Sequence, residues 1–217
     1  NSNDIQFIST GANGTYGYFQ NVGETLRRGV ELGLNGSIDK FSLAANYGYT
    51  DATFQSPFTS SSSANSSADP NGIIQVSKGN KIPGIPEHTL KLRLGYEITP
   101  QWKVGSSIIA ASNQFARGDE NNQDFHGKVP GYSVVNLDTY YDLSDHWELF
   151  VKANNIFDKK YSTFGVLGSN AFSNGSFDPT VPADNNWTPE QFRSPASPRA
   201  GWIGVTYSFG KKKTASD

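Results

Sequence analysis

Apolar and polar positions alternate with a period of two along much of this chain. From 88 to 98, His88, Leu90, Leu92, Leu94, Tyr96 and Ile98 share one face, while Thr89, Lys91, Arg93, Gly95 and Glu97 share the other. A helix, with its period of about 3.6, cannot separate leucine from charge in that way; a half-buried strand does. The pattern recurs at 133–143, where Val135, Leu137, Thr139, Tyr141 and Leu143 oppose Asn136, Asp138, Tyr140 and Asp142. It recurs again at 146–154, with Trp147, Leu149, Val151 and Ala153 on one face, and at 199–209, with Ile203, Val205, Tyr207 and Phe209. Weaker copies over 4–10, 24–36, 40–54 and 102–116 bring the predicted strands to eight.

The connections turn this list of strands into an architecture. Short turns are expected at Gly36–Asp39, Thr99–Gln101 and Ser144–Asp145, and between them fall long linkers at 55–87, 117–131 and 162–198. Short and long alternate strictly, so every long loop leaves from the same end. A soluble sandwich has no reason to do that, whereas outer-membrane barrels combine short turns on one side with long loops on the other and strands that are apolar outside and polar inside. The predicted fold is therefore all-β, a membrane-spanning antiparallel β-barrel. Trp102, Tyr132, Trp147 and Phe209 stand at strand ends, where interfacial aromatic girdles belong. Leu92 and Leu137 are expected to face lipid. Gly29 and Gly33 are expected to leave room inside, and the low-complexity tract Ser60–Ser67 to be a solvated loop tip.

Composition removes several alternatives. There is no Cys and no Met, which excludes disulfides, thiolate nucleophiles and Cys-ligated metals, and marks Asn1 as an expected cut point in a longer protein. Aromatics make up 13% of the chain, too many for a disordered segment. No apolar run approaches the ~20 residues of a spanning helix, and strand-crossing barrels have no need of one. The net charge is −2 and the only basic block is Lys211–Lys213, so no nucleic-acid partner is expected. His88, His126 and His146 are far apart, and Asp119, Glu120 and Asp124 lack the spacing of a calcium loop, so no metal or cofactor is expected. Asp124 and His126 could pair, but nothing marks an activated nucleophile, and the chain is not expected to be an enzyme.

Three stretches carry a resemblance to a known family. Asn21-Val22-Gly23-Glu24 followed by Arg28-Gly29-Val30-Glu31-Leu32 is one; Ile82-Pro83-Gly84-Ile85-Pro86-Glu87-His88 leading into Leu90, Leu92 and Tyr96 is another; Asn154-Asn155-Ile156-Phe157-Asp158-Lys159-Lys160-Tyr161 is the third. Together with a closing strand that ends on Phe209, they resemble the C-terminal third of the barrel of TonB-dependent outer-membrane receptors, of the siderophore-receptor type. The resemblance implies that residues 1–209 supply about eight C-terminal strands of a 22-stranded barrel in a Gram-negative outer membrane; the basic tail 210–217 departs from the family pattern, in which the closing aromatic ends the chain. It implies a receptor that takes up a scarce nutrient, foremost a ferric siderophore. Outer-membrane lipid, the remaining N-terminal barrel and plug, and a TonB-type energy-transducing complex would be its partners. Gly29, Glu31, Pro83, Gly84, Pro86, His88, Asn154, Asn155, Phe157, Asp158, Tyr161 and Phe209 are read as fold markers.

In such a barrel the ligand is met by the external loops. Arg117, Asp119, Glu120, Asp124, Phe125 and His126 in one loop, and Phe164, Trp187 and Arg193 in the next, combine aromatic, cationic and acidic groups suited to an anionic, partly aromatic iron chelate. Phe172, Phe177 and Phe192 add to the aromatic set, which could equally pack the loops together. A competing reading is a self-contained eight-stranded outer-membrane barrel with a structural or adhesive role, since eight antiparallel strands can close on their own.

Overall fold

The computed structural model describes residues 2–10, 16–173, 176–177 and 188–209. It opens with the strands β1 (Ile5–Thr10) and β2 (Tyr16–Asn21), followed by the long strands β3 (Thr25–Ile38) and β4 (Phe41–Phe54). A short pair, β5 (Phe58–Ser61) and β6 (Ile73–Val76), interrupts the first long connection, and β7 (His88–Thr99), β8 (Trp102–Ala111), β9 (Tyr132–Asp142) and β10 (Trp147–Asn154) come next. In the last long connection β11 (Ser162–Asn170) pairs with β14 (Thr188–Pro195); the two-residue strands β12 (Phe172–Ser173) and β13 (Ser176–Phe177) lie between them in sequence, and β15 (Ala200–Tyr207) follows.

Seven strands form one antiparallel sheet in the order β15-β10-β9-β8-β7-β4-β3. Each is joined to the next through a short turn or a long excursion, in the predicted alternation. The sheet differs from expectation at its first strand. Residues 5–10 form β1, yet β1 pairs only with β2, and at the base of that hairpin Asp4 N donates to Gly23 O while Val22 N donates to Asp4 O. The wall therefore has seven strands among the described residues, with β3 and β15 at opposite edges and not paired to each other. A self-contained closed barrel is not formed.

The register carries the apolar face of each strand across the whole sheet. Leu32 lies beside Tyr47, Tyr47 beside Leu90 and Leu90 beside Ala110; one step on, Leu34, Ala45, Leu92, Ile108 and Val135 form a row, ending in the neighbouring Leu137–Ala153–Gly201 line. Leu32, Leu34 and Leu137 are exposed, Leu32 at 61%, and the other side chains of these rows are half-buried against their neighbours, as on a face turned toward hydrocarbon. Aromatic groups bound the face at both ends. At the long-loop end Tyr47 and Tyr49 flank His88, whose Nδ1 is 2.7 Å from the Tyr47 hydroxyl. At the short-turn end stand Phe41 against Tyr96, Trp102, Tyr141, and Trp147 against Tyr207 and Phe209. Tyr49 and Phe41 are eight residues apart on β4, about 26 Å along the strand at the usual rise and about 20 Å along the membrane normal at a tilt of about 40°, which places them near the two borders of an apolar band of about 25 Å.

The opposite face is polar and glycine-rich. The Arg93 guanidinium grips both oxygens of Asp138 (Nη2 donates to Oδ2 at 2.7 Å), reaching across β8 over Gly105. A Cβ at 105 would occupy the guanidinium's place. Phe150 likewise lies over Gly204, and Lys152 stands above the rings of Tyr140 and Phe150 at 5.5 and 5.3 Å. Gly29 has a different role from the one expected: a Cβ there would strike the Tyr49 carbonyl, so the residue permits close approach of β3 and β4 and does not simply spare interior space.

The buried apolar residues cluster in the loops and at the rim. Val22, Ala52, Phe54, Ile74, Val76 and Ile82 form one cluster, with Phe58, Ala68 and Ile85 packed on it. Ala64, Ala116, Val129 and Leu167 form a second, drawing one or more residues from each of the three long connections. The serine-rich tract is partly drawn into this packing: Ser60, Ala64 and Asn65 are 2–6% exposed, while Ser63, Ser66 and Ser67 stay at the surface, so the solvated tip expected from composition is anchored by buried residues.

Candidate functional site

The loop assembly is built on side-chain amides. Asn65 donates from Nδ2 to the Gly118 carbonyl (2.9 Å) and to Asn121 Oδ1 (3.1 Å), while its Oδ1 accepts from the Ser67 amide and hydroxyl. The Ser62 hydroxyl donates to the same Gly118 carbonyl at 2.7 Å. Asn122, in the left-handed region at φ 60°, accepts from the Lys81 amide and donates to the Lys81 carbonyl, standing in for a strand partner. The third connection is tied in by backbone: Arg117 N donates to Gly165 O and Leu167 N to Arg117 O, adding a rung to β11. Gln191 reaches Gly127 O, and Gln114 reaches Thr163 O. Gly165 sits where a Cβ would enter Val129, so this close approach needs a residue without a side chain.

The third sequence stretch forms the corner between β10 and the last connection. Asn155 is buried with φ 50°, a left-handed conformation that Asn tolerates better than most residues. Its Nδ2 donates to the carbonyls of Lys159 and Ser197, its Oδ1 accepts from Lys159 N, and its own amide donates to Asn136 Oδ1. Asp158 then accepts from Arg199 N at 3.0 Å and so positions the start of β15. Asn154 ends β10, Phe157 is 75% exposed beside the corner, and Tyr161 stacks on Tyr132 at 4.6 Å. In the second stretch Pro83 and Pro86 flank Gly84, which adopts φ 76° and donates to Phe115 O, fixing the descent into β7. Glu31 lies on β3 with its polar-face neighbours.

The candidate ligand residues divide into two groups. Asp119 and Asp124 are withdrawn from solvent. Asp119 Oδ1 accepts from the Gln123 and Asp124 amides at 2.8 and 3.0 Å, and burial pushes its carboxyl above the usual range. Burial also pushes Asp124 upward, but the Ser66 and His126 amides and the His126 ring outweigh it, holding that carboxyl below its usual range. Glu120 is raised by burial and accepts from Gly118 N. These carboxylates hold the loop's fold, with Asp119 Oδ1, both Asp124 oxygens and Glu120 Oε1 accepting from backbone amides.

The second group is presented outward. Phe125 is 72% exposed and stacked on His126 at 3.9 Å between centroids, with His126 Nδ1 fixed 2.8 Å from Asp124 Oδ1 and Phe125 N donating to Ser66 Oγ. Arg117 stands 5.7 Å above the Phe164 ring. Arg193, held by Gln191, joins Lys159, Lys160 and Tyr161 around a pocket of about 420 Å³. Trp187 lies outside the described residues, as does the tail 210–217. Sequence reasoning passed over Asn65, Asn121, Asn122 and Lys81, since an Asn or Ser in a low-complexity tract carries no mark of the partner that will bury it.

Comparison with known proteins agrees with this geometry. The family model described as "TonB dependent receptor-like, beta-barrel" matches residues 2–156. A probable TonB-dependent siderophore receptor, PiuA of Acinetobacter baumannii, is 30% identical over 146 residues, which are 67% of this chain and 18% of that protein. The metal-pseudopaline receptor CntO of Pseudomonas aeruginosa is 27% identical over a stretch of the same length. Among solved structures, PiuA from A. baumannii superposes with a TM-score of 0.64 at 22% identity, covering 94% of this chain and 24% of that one. The ferric-catecholate import receptor Fiu of E. coli K12, in its closed form, gives 0.57 at 17%, covering 95% and 23%. The chain thus spans less than a fifth of the length of the curated relatives it matches. Motif order, loop parity, the two-faced wall and the family match converge: the chain belongs to the TonB-dependent receptors and forms part of their outer-membrane β-barrel.

Proposed function

We propose that this chain supplies wall and external loops to a receptor that captures a ferric siderophore at the cell surface and passes it inward through the barrel. Uptake would be completed by the plug and driven by a TonB-type complex acting on the N-terminal part of the same receptor. The observation that carries this reading is the pinned Phe125–His126 pair, an exposed aromatic platform held by Ser66 Oγ and the buried Asp124. With Arg117 over Phe164 and Arg193 nearby in the last connection, it offers planar apolar contact and positive charge, which suit an anionic chelate bearing aromatic rings. The names of the relatives point the same way, since they bind or import siderophores and metal chelates.

The test uses the full-length receptor and a ferric catecholate chelate, with affinity read from quenching of intrinsic fluorescence. Phe125→Ala and Arg117→Ala leave Asp119 and Asp124 in place, so the loops keep their shape. Each is expected to weaken binding about tenfold, as the loss of roughly 1–1.5 kcal/mol of stacking or cation–π contact implies. Unchanged affinity in both variants would remove this platform from the ligand path.

A further inference from the structure

The lipid-facing band is not uniformly bulky. One row near the short-turn end runs Gly36, Leu43, Leu94, Ser106, Leu137 across five strands. Two of those five positions lack a large side chain, and no heavy atom lies within 4 Å of where a Cβ on Gly36 would be. The row nearer the turns is full, with Ile38, Phe41 and Tyr96 in line and the last two rings 4.5 Å apart. The row on the other side runs Leu34, Ala45, Leu92 and Ile108. The result is a groove of about 730 Å³, within the ~300–1,000 Å³ typical of small-molecule sites.

We infer that this groove binds one acyl chain of a phospholipid in the leaflet at the short-turn side of the membrane. The groove is continuous with the hydrocarbon-facing band and lies just inside the lower aromatic girdle, so acyl chains are the molecules that reach it. No Asp, Glu, Lys or Arg lines it. An extended peptide would bring unpaired backbone groups into hydrocarbon, where nothing satisfies them. An acyl chain has no such groups, and it restores the contacts that the gaps at Gly36 and Ser106 leave unmade. The headgroup would sit at the level of Phe41 and Tyr96 and contribute little, so selection is by chain and not by headgroup.

The test is native mass spectrometry of the full-length receptor, stripped with detergent and re-exposed to defined phospholipids. The wild-type receptor is expected to retain one phospholipid with dipalmitoyl chains, equally for ethanolamine and glycerol headgroups, and to lose it with dihexanoyl chains. Gly36→Trp and Ser106→Leu each fill the groove and are expected to reduce retention at least tenfold. Gly201→Trp, on the lipid-facing side of β15 and away from the groove, should retain lipid as the wild type does. Folding of each variant is checked by heat-modifiable mobility, and two independent filling variants keep the test alive if one fails to assemble. A wild-type receptor that retains no phospholipid, retention that follows headgroup, or equal retention in an assembled filling variant would each overturn the site. A dimeric mass that Gly36→Trp or Ser106→Leu converts to monomer would reassign the groove to a second copy.

Discussion

The wall and the loop assembly of this chain use the same residue types for opposite purposes. In the wall, leucine and valine are exposed because their solvent is hydrocarbon, and cohesion comes from backbone ladders seven strands wide. In the loops, alanine, valine and phenylalanine are buried in two small clusters, and Asn, Ser and Asp side chains replace the ladder. Removing apolarity therefore endangers the wall at insertion, whereas removing a single amide endangers the loops after the wall is already in place.

That contrast can be broken first at the membrane midplane. Leu92→Arg puts a charge at the middle of the lipid face, at a cost of about 2–4 kcal/mol. Loss of the heat-modifiable folded form from outer-membrane fractions is expected, and normal yield would show that β7 does not face lipid. Asn155→Ala comes next. It leaves the Lys159 and Ser197 carbonyls and the Lys159 amide without their partner, at about 1–3 kcal/mol. The expected outcome is an assembled barrel with a lower thermal midpoint and protease access at the corner after β10.

Asn65→Ala should act on the loops alone. Wall assembly is expected to be unchanged, while hydrogen exchange of residues 117–125 rises by about tenfold, one lost net hydrogen bond's worth. A drop in membrane yield would mean that loops and wall fold as one unit. Ser62→Arg, which composition alone would have tolerated, should show a weaker version of the same effect, since Ser62 donates to Gly118 O.

The smallest effect is a pH dependence with opposed signs. Asp124 is held below its ordinary range, so its contribution to loop order is present above about pH 4 and fades as pH falls through its folded value. Asp119 is raised, so it favours the folded loop when protonated and opposes it as pH rises past about 4 toward its folded value. Asp119→Asn should therefore increase protection of 117–125 at neutral pH, leaving the acid-side loss due to Asp124 and a smaller opposing contribution from Glu120, which burial also raises. An unchanged pH profile in the exchange rates would show that Asp119 does not titrate there.

Much of the wall was legible in the chain because a sheet with one face in hydrocarbon repeats the same two-residue message along every strand. The seven wall strands lie within about two residues of their predicted bounds at most ends, with β8 ending well before 116. The strands β5, β6, β11 and β14 were not legible. β5 and β6 have four residues each, and β11 and β14 are interrupted by serine, glycine and by Pro189 and Pro195, so none carries a sustained two-residue alternation. The candidate residues separated for a related reason: sequence shows which polar and aromatic residues a loop contains, but only folding shows that Asp119 Oδ1 turns inward to backbone amides while Phe125 is left exposed.

The sequence by itself determined the alternating strands, the parity of short and long connections, the lipid-facing and interior faces, and the corner motifs that identify the family. These are local properties, set by side-chain period, turn chemistry and the solvent each face meets. Tertiary structure alone decided that residues 4–10 join a hairpin outside the wall, that Ser60, Ala64 and Asn65 of the serine tract are buried, that Asp119 and Asp124 shape the loop, and that Gly36 and Ser106 fall in one row. Each depends on which distant residue becomes a neighbour, and register and burial fix that only when the chain has folded.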